Sequence, residues 1–190
     1  MEQRYILASQ SPRRQELLRV VLPEFEVKPC HAPEEVPEGL APCQVVEHLA
    51  RQKAGYIAAE NPGAVVIGSD TVVSIDGQIL GKPRDKTDCL RMLDLLSGRS
   101  HTVYTGVAFA KDGVCHSFWE ATEVEFYPLS DQEKQWYAGQ EEPYDKAGSY
   151  GIQGQGSLLV RGIRGDYFNV MGLPVARLWR ELRDWLEQIQ

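Results

Sequence analysis

Ala64-Val65-Val66-Ile67-Gly68-Ser69-Asp70-Thr71-Val72-Val73 is a β-branched apolar run in which glycine, serine and an acid intervene before the apolar character resumes. The first half reads as a buried strand, which places Asp70 at the mouth of that strand. Ligands of α/β sheets collect at the carboxyl ends of strands, where an acid holds a metal or moves a proton. The same spacing fits a turn aspartate that caps the next segment through local hydrogen bonds. The rest of the chain has to choose between the two.

On the N-terminal side, residues 5–8 form a short buried strand, 9–12 a turn, and 13–20 a helix whose apolar face is Leu17, Leu18 and Val21. Ser11 is its N-cap and Pro12 its first helical residue, the favoured order for that pair. A second strand covers 25–28, a Pro- and Glu-rich loop 29–42, and a helix 44–60 with Val45, Leu49, Ala50 and Ala54 on one side. On the C-terminal side, 72–75 and 78–80 flank Asp76-Gly77 as a hairpin. A helix over 87–96 stops at Ser97-Gly98. Strands over 101–110 and 117–127 are joined by a turn at Lys111-Asp112-Gly113. Ser130 and Glu133 have capping-box spacing for a helix to residue 137. Residues 144–156 form a glycine-rich loop of the kind that approaches a ligand. A strand over 158–160 and a helix over 175–189, with Leu178, Leu182 and Leu186 buried, complete the chain. Strands and helices interleave, and the two Asp-Gly hairpins require antiparallel pairs, so the expected fold is α/β with a mixed sheet.

A chain of 190 residues with 43% hydrophobic and 25% charged residues predicts one globular domain over 1–190. Its net charge of −7 argues against general nucleic-acid binding, which draws on a basic surface. Cys30, Cys43, Cys89 and Cys115 are dispersed with no C-x-x-C pair, as expected of reduced thiols in a cytoplasmic protein. No signal peptide and no apolar run long enough to span a membrane are read.

Ser11, Arg13 and Arg14 sit at a strand-to-helix turn, where free N–H groups and the helix dipole already favour an anion. They read as a phosphate pocket or as an exposed arginine pair. Lys53 and Lys82 are solvated surface lysines taken singly, although the stiff Gly81-Lys82-Pro83 corner would aim its ammonium group toward whatever lies past Asp70. Glu34 and Glu35 read either as a hydrated acidic loop or as a second carboxylate for a divalent ion. Among Asp145, Lys146, Tyr150 and Gln153, the Gln153 amide suits a base edge, or else a local turn. The histidines, His31, His48, His101 and His116, suggest no catalytic triad, and neither a P-loop nor a dinucleotide-binding fingerprint is present.

Seven blocks, LASQSPRRQELL from Leu7, LARQKA from Leu49, IGSDTVV from Ile67, ILGKP from Ile79, LSGRSHTVYTGV from Leu96, DKAGSYGIQGQG from Asp145 and GDYFNVMGLP from Gly165, together resemble the Maf family of nucleoside triphosphate pyrophosphatases over nearly the whole chain. The resemblance implies hydrolysis at the α-phosphate with a divalent cation (Mg, Mn or Co), releasing the monophosphate and pyrophosphate. It implies a twisted mixed sheet flanked by helices, similar to inosine triphosphate pyrophosphatase-like folds, and a homodimer. Asp70 matches the family's catalytic acid, as proton acceptor or metal ligand. Arg13, Thr71 and Gln153 match the positions that separate its substrate classes, and Thr71 with Gln153 resembles the subgroup acting on dTTP and UTP. The Gln153 carbonyl would accept from pyrimidine N3–H while its NH₂ donates to O4, and a rotated amide would pair cytosine instead. Ser11, Arg14, Lys53 and Lys82 fit as phosphate contacts. Where the family usually has Asp-Glu, this chain has Glu34-Glu35, and the second metal carboxylate is placed on Glu35. Two rival readings are a nucleotide-sensing regulator of septum formation, which would not need Asp70, and a house-cleaning enzyme for modified nucleotides.

Overall fold

The computed structural model describes residues 3–189. In chain order it contains β1 (Tyr5–Leu7), α1 (Pro12–Arg19), β2 (Glu26–Val27), α2 (Pro42–Ala59), β3 (Val65–Ile75), β4 (Gln78–Leu80), α3 (Lys86–Leu96), β5 (Ser100–Lys111), β6 (Val114–Phe126), α4 (Asp131–Tyr137), β7 (Val160–Arg164), α5 (Tyr167–Met171) and α6 (Val175–Gln188). The sheet order among the described residues is β2-β1-β3-β5-β6-β7, with β4 paired to β3. β1 runs parallel to both β2 and β3, whereas β3–β4 and β6–β7 are antiparallel. The sheet is therefore mixed, as the two Asp-Gly turns require. Residues 1, 2 and 190, which the expected single domain includes, lie outside the described residues.

The opening stretch is corrected by the fold. Gly68, Ser69 and Asp70 do not end a strand: β3 continues through them for 11 residues, so Asp70 is neither at a strand mouth nor in a turn. The reason is packing. A Cβ at Gly68 would lie 2.3 Å from the Ala50 carbonyl oxygen and 2.8 Å from the Ala54 amide nitrogen, so the glycine lets α2 lie directly on the strand. Ser69 is fully buried and donates its hydroxyl to the Gly172 carbonyl at 3.2 Å, which satisfies the polar group that broke the apolar pattern.

The chain divides into two compact units. The first comprises residues through Asp70, Thr105–Glu120 and the segment from Gly172 onward. Its core gathers Ile6, Ala8, Ala50, Ala54, Ile57, Ala64, Val66, Ala108 and Ala110, six of them alanines, whose small side chains permit close packing. On α6, Leu178, Leu182 and Trp185 are buried, and Leu186, expected on that face, is only half-buried. Ser11 caps α1 as expected, accepting from the Arg14 amide at 3.4 Å, with Pro12 in the first turn.

The second unit comprises Thr71–Tyr104 and Ala121–Met171. Its core includes Val73, Leu80, Met92, Leu93, Leu96, Val103, Val124, Phe126, Tyr137, Tyr150 and Leu159. Asp76 and Gly77 both take positive φ, 52° and 76°, the geometry that matches the twist of the β3–β4 hairpin. The Ser130–Glu133 capping box forms as read. The strand expected at 158–160 is corrected: single helical turns extend to Leu159, Leu158 is 68% exposed, and pairing starts only at Val160 opposite Phe126. α5 has five residues, too short for a 3.6-residue periodicity to register, and was not foreseen.

Candidate active site

In the first unit, β3 presents Asp70 to α2, and Lys53 of α2 donates to Asp70 Oδ1 at 2.5 Å. Both side chains are largely buried, 15% and 14% exposed, so this charge-assisted bond is shielded from water. The same ammonium group meets Glu34 Oε1 at 2.8 Å, which ties the acidic loop to the pair. Glu34 is thus the loop acid joined to Asp70 through Lys53. Glu35 is exposed, and its backbone carbonyl lies 2.9 Å from His48 Nε2.

At the start of α1, Arg14 is held by two acceptors, the Gly172 carbonyl to Nε at 2.9 Å and the Ser9 hydroxyl to Nη1 at 3.5 Å. Burial lowers the Arg14 pKa, Asp70 and Glu34 oppose that shift, and Arg13 adds to it; the guanidinium stays cationic regardless. Arg13, Arg14 and Lys53 against Asp70 and Glu34 leave one surplus positive charge beside a helix N-terminus with no acid in its first turn. That balance suits an anion. Ser9 and Gly172 are structural partners that residue-by-residue reading missed, although both fall inside the quoted family blocks.

The second unit carries Thr71, Lys82 and Gln153. Thr71 is half-buried on β3, and Lys82 is exposed just past β4, next to the Gly81 carbonyl that accepts from the Gly148 amide at 3.0 Å. Gln153 is exposed, with extended backbone, ahead of the helical turn that begins at Gly154. Beneath that loop, Tyr137 donates to Glu142 Oε1 at 3.1 Å and accepts from the Gly151 amide at 3.3 Å. Burial raises the pKa of both Tyr137 and Tyr150, so both remain protonated.

His101 is 3% exposed, its Nε2 lies 2.7 Å from the Tyr150 hydroxyl, and Nδ1 has no protein partner. Burial pushes its pKa down from 6.5 to about 4, so the folded protein holds a neutral imidazole while the unfolded chain protonates first on acidification. Its contribution to stability is complete above pH 6.5 and is lost as the pH falls toward 4. The stability gap between wild type and His101→Asn, read from urea midpoints, should therefore narrow by about 2–3 kcal/mol between pH 7.5 and 4.5. A gap independent of pH would refute a buried neutral His101.

A family model described as Maf-like protein matches residues 4–185. The chain belongs to the Maf family. Among curated relatives, a dTTP/UTP pyrophosphatase of Carboxydothermus hydrogenoformans is 52% identical over 181 residues, covering 94% of this chain and 97% of that protein. One of the same name from Bacillus velezensis is 49% identical over 185 residues, covering 97% and 98%. Among solved structures, a HAM1 protein from Coxiella burnetii aligns with a TM-score of 0.53 at 16% identity, covering 98% of this chain and 100% of that one. At that identity the likeness concerns the fold alone. Among the described residues of this Maf protein, no helix is long and apolar enough to cross a membrane.

Proposed function

We propose that this Maf protein hydrolyses dTTP and UTP to the monophosphate and pyrophosphate. The observation that carries the reading is near-full-length identity of 52% and 49% to relatives named for that activity. The bonded Asp70–Lys53 pair supplies a chemistry for it. Water attacks the α-phosphorus, the bond from that phosphorus to the oxygen bridging toward the β-phosphate breaks, and pyrophosphate departs. Asp70 accepts the proton of the water. Lys53 grips Oδ1, and the other oxygen, Oδ2, serves as proton acceptor or metal ligand. Ser11, Arg14, Lys53 and Lys82 neutralise phosphate charge, and preorganised cations of this kind need no rearrangement as charge shifts to the leaving group.

Asp70 with the Glu34-Glu35 loop offers carboxylate oxygens of the type that suits a hard divalent ion whose shell is completed by water and phosphate oxygens. When bound, through Asp70 and Glu35, Mg, Mn or Co supplies positive charge to the α-phosphate. Arg13, Thr71 and Gln153 set the choice of base. A cytoplasmic location, a homodimer, no general nucleic-acid binding and a single domain over 1–190 complete the proposal, the last supported by the family match over 4–185.

Pyrophosphate release from canonical and modified triphosphates, each with Mg²⁺, Mn²⁺ and Co²⁺, tests the reading. dTTP and UTP are expected to exceed ATP and GTP by about 100-fold in kcat/KM, the scale that paired base-edge hydrogen bonds reach. Tight binding of UTP without release would favour the nucleotide sensor, and preference for modified bases would favour the house-cleaning enzyme.

A further inference from the structure

The glycine-rich loop is folded around an anion of its own. Glu142, half-buried, accepts from the Gln155 amide at 2.9 Å through Oε2 and from the Gly156 amide at 3.0 Å through Oε1. Oε1 also receives the Tyr137 hydroxyl, which in turn takes the Gly151 amide. One carboxylate, with one tyrosine, therefore binds three backbone N–H groups on both sides of Gln153. The glycine spacing has the same cause. A Cβ at Gly154 would lie 2.8 Å from Glu142 Oε2, and one at Gly156 would lie 2.1 Å from the Gly151 carbonyl oxygen and 2.7 Å from the Tyr137 hydroxyl. At Gly151 it would meet the Lys146 stem at 2.8 Å and Glu142 Oε1 at 3.1 Å. Gly154 lets the backbone close on Glu142 itself, and Gly151 and Gly156 let it close on the Lys146 stem, the Tyr137 hydroxyl and the loop's own backbone.

We infer that Glu142 is the positioning residue of base selection: braced by Tyr137, it fixes the orientation in which residues 151–156 present the Gln153 amide. The inference rests on the assignment of Gln153 as the side chain that reads the base. An amide held one way up pairs with N3–H and O4 of uracil or thymine, and the same amide turned over pairs with cytosine. A loop that has lost its brace samples both orientations, so discrimination suffers before turnover does.

Glu142→Gln keeps shape and volume but turns one acceptor into a donor facing a backbone N–H. The expected result is a fall of about 10-fold in the UTP-over-CTP ratio of kcat/KM, through KM, with kcat for UTP within about 3-fold. Amide exchange at Gln155 and Gly156 should accelerate about 10-fold, a readout independent of activity that also reports whether the variant is folded. A double-mutant cycle with Gln153→Ala should be strongly non-additive in the UTP:CTP ratio, because Glu142 acts through Gln153. Additive effects, an equal loss for all bases, or unchanged exchange at Gln155 and Gly156 would overturn the inference. A wild-type protein that releases no pyrophosphate from UTP sinks the proposed function, whereas an active one whose ratio Glu142→Gln leaves alone sinks this inference only.

Discussion

Asp70→Asn is expected to lower pyrophosphate release from dTTP and UTP by about 1,000-fold, within the range that a positioned acid–base group contributes. The amide keeps the size of the carboxylate and an oxygen for Lys53, so the fold around β3 should survive. It cannot take a proton from water at neutral pH. Nucleotide binding should persist, because the cations at Arg13, Arg14 and Lys53 are untouched and a repelling charge has been removed. The check pairs single-turnover release with binding measured by calorimetry. Near-normal release from the variant would remove Asp70 from the chemistry, and loss of binding together with release would make it a binding residue.

Gly68→Ala should have the largest effect on stability. A methyl group there meets the Ala50 carbonyl oxygen at 2.3 Å and the Ala54 amide nitrogen at 2.8 Å, and both are backbone atoms of a helix that cannot rotate away. The helix has to retreat from the strand, at a cost of about 3 kcal/mol. In a chain of this size that corresponds to a fall in Tm of about 10 °C. The same retreat moves Lys53 away from Asp70, so activity should fall even at temperatures where the variant is folded. Calorimetric melting and activity at 20 °C test the two halves separately, and a Tm within about 2 °C of wild type would show that α2 does not rest on the Gly68 backbone.

The parts of the fold visible in the sequence were those set by neighbours in the chain. Ser11-Pro12, Asp76-Gly77, Asp112-Gly113 and the Ser130–Glu133 box act over two to four residues, and each formed as read. The continuity of β3 was not visible, because the reason for Gly68 lies in helix backbone far back in the chain. The glycine-rich composition of 144–156 fits a loop that approaches a ligand, yet the groups that Gly151, Gly154 and Gly156 accommodate belong to the protein: the Lys146 stem, Glu142 and the Tyr137 hydroxyl with the Gly151 backbone. Composition reveals that a backbone must come close to something and does not reveal to what. In the candidate site, Asp70 and Arg14 stand out by charge expected at element ends, whereas Lys53, mid-helix and unremarkable taken singly, stands out only through the family resemblance, and it meets Asp70 directly. Which of Glu34 and Glu35 meets Lys53 depends on the path of an irregular loop, where no periodicity governs the direction of a side chain. Ser9 and the Gly172 carbonyl were passed over because a serine and a backbone oxygen have no compositional signature.

The hydrogen bonds to Gly172 bear on when during synthesis the site is finished. Arg14 reaches a carbonyl 158 residues further along the chain, and Ser69 one 103 residues further. A ribosome making this protein therefore exposes the acid and its lysine partner long before the segment that clamps the arginine. A nascent chain of that length carries Asp70 without the carbonyl that holds Arg14. Chains truncated before Gly172 should therefore lack the carbonyl that holds Arg14 although Asp70 and Lys53 are present, and their loss of UTP hydrolysis is the check.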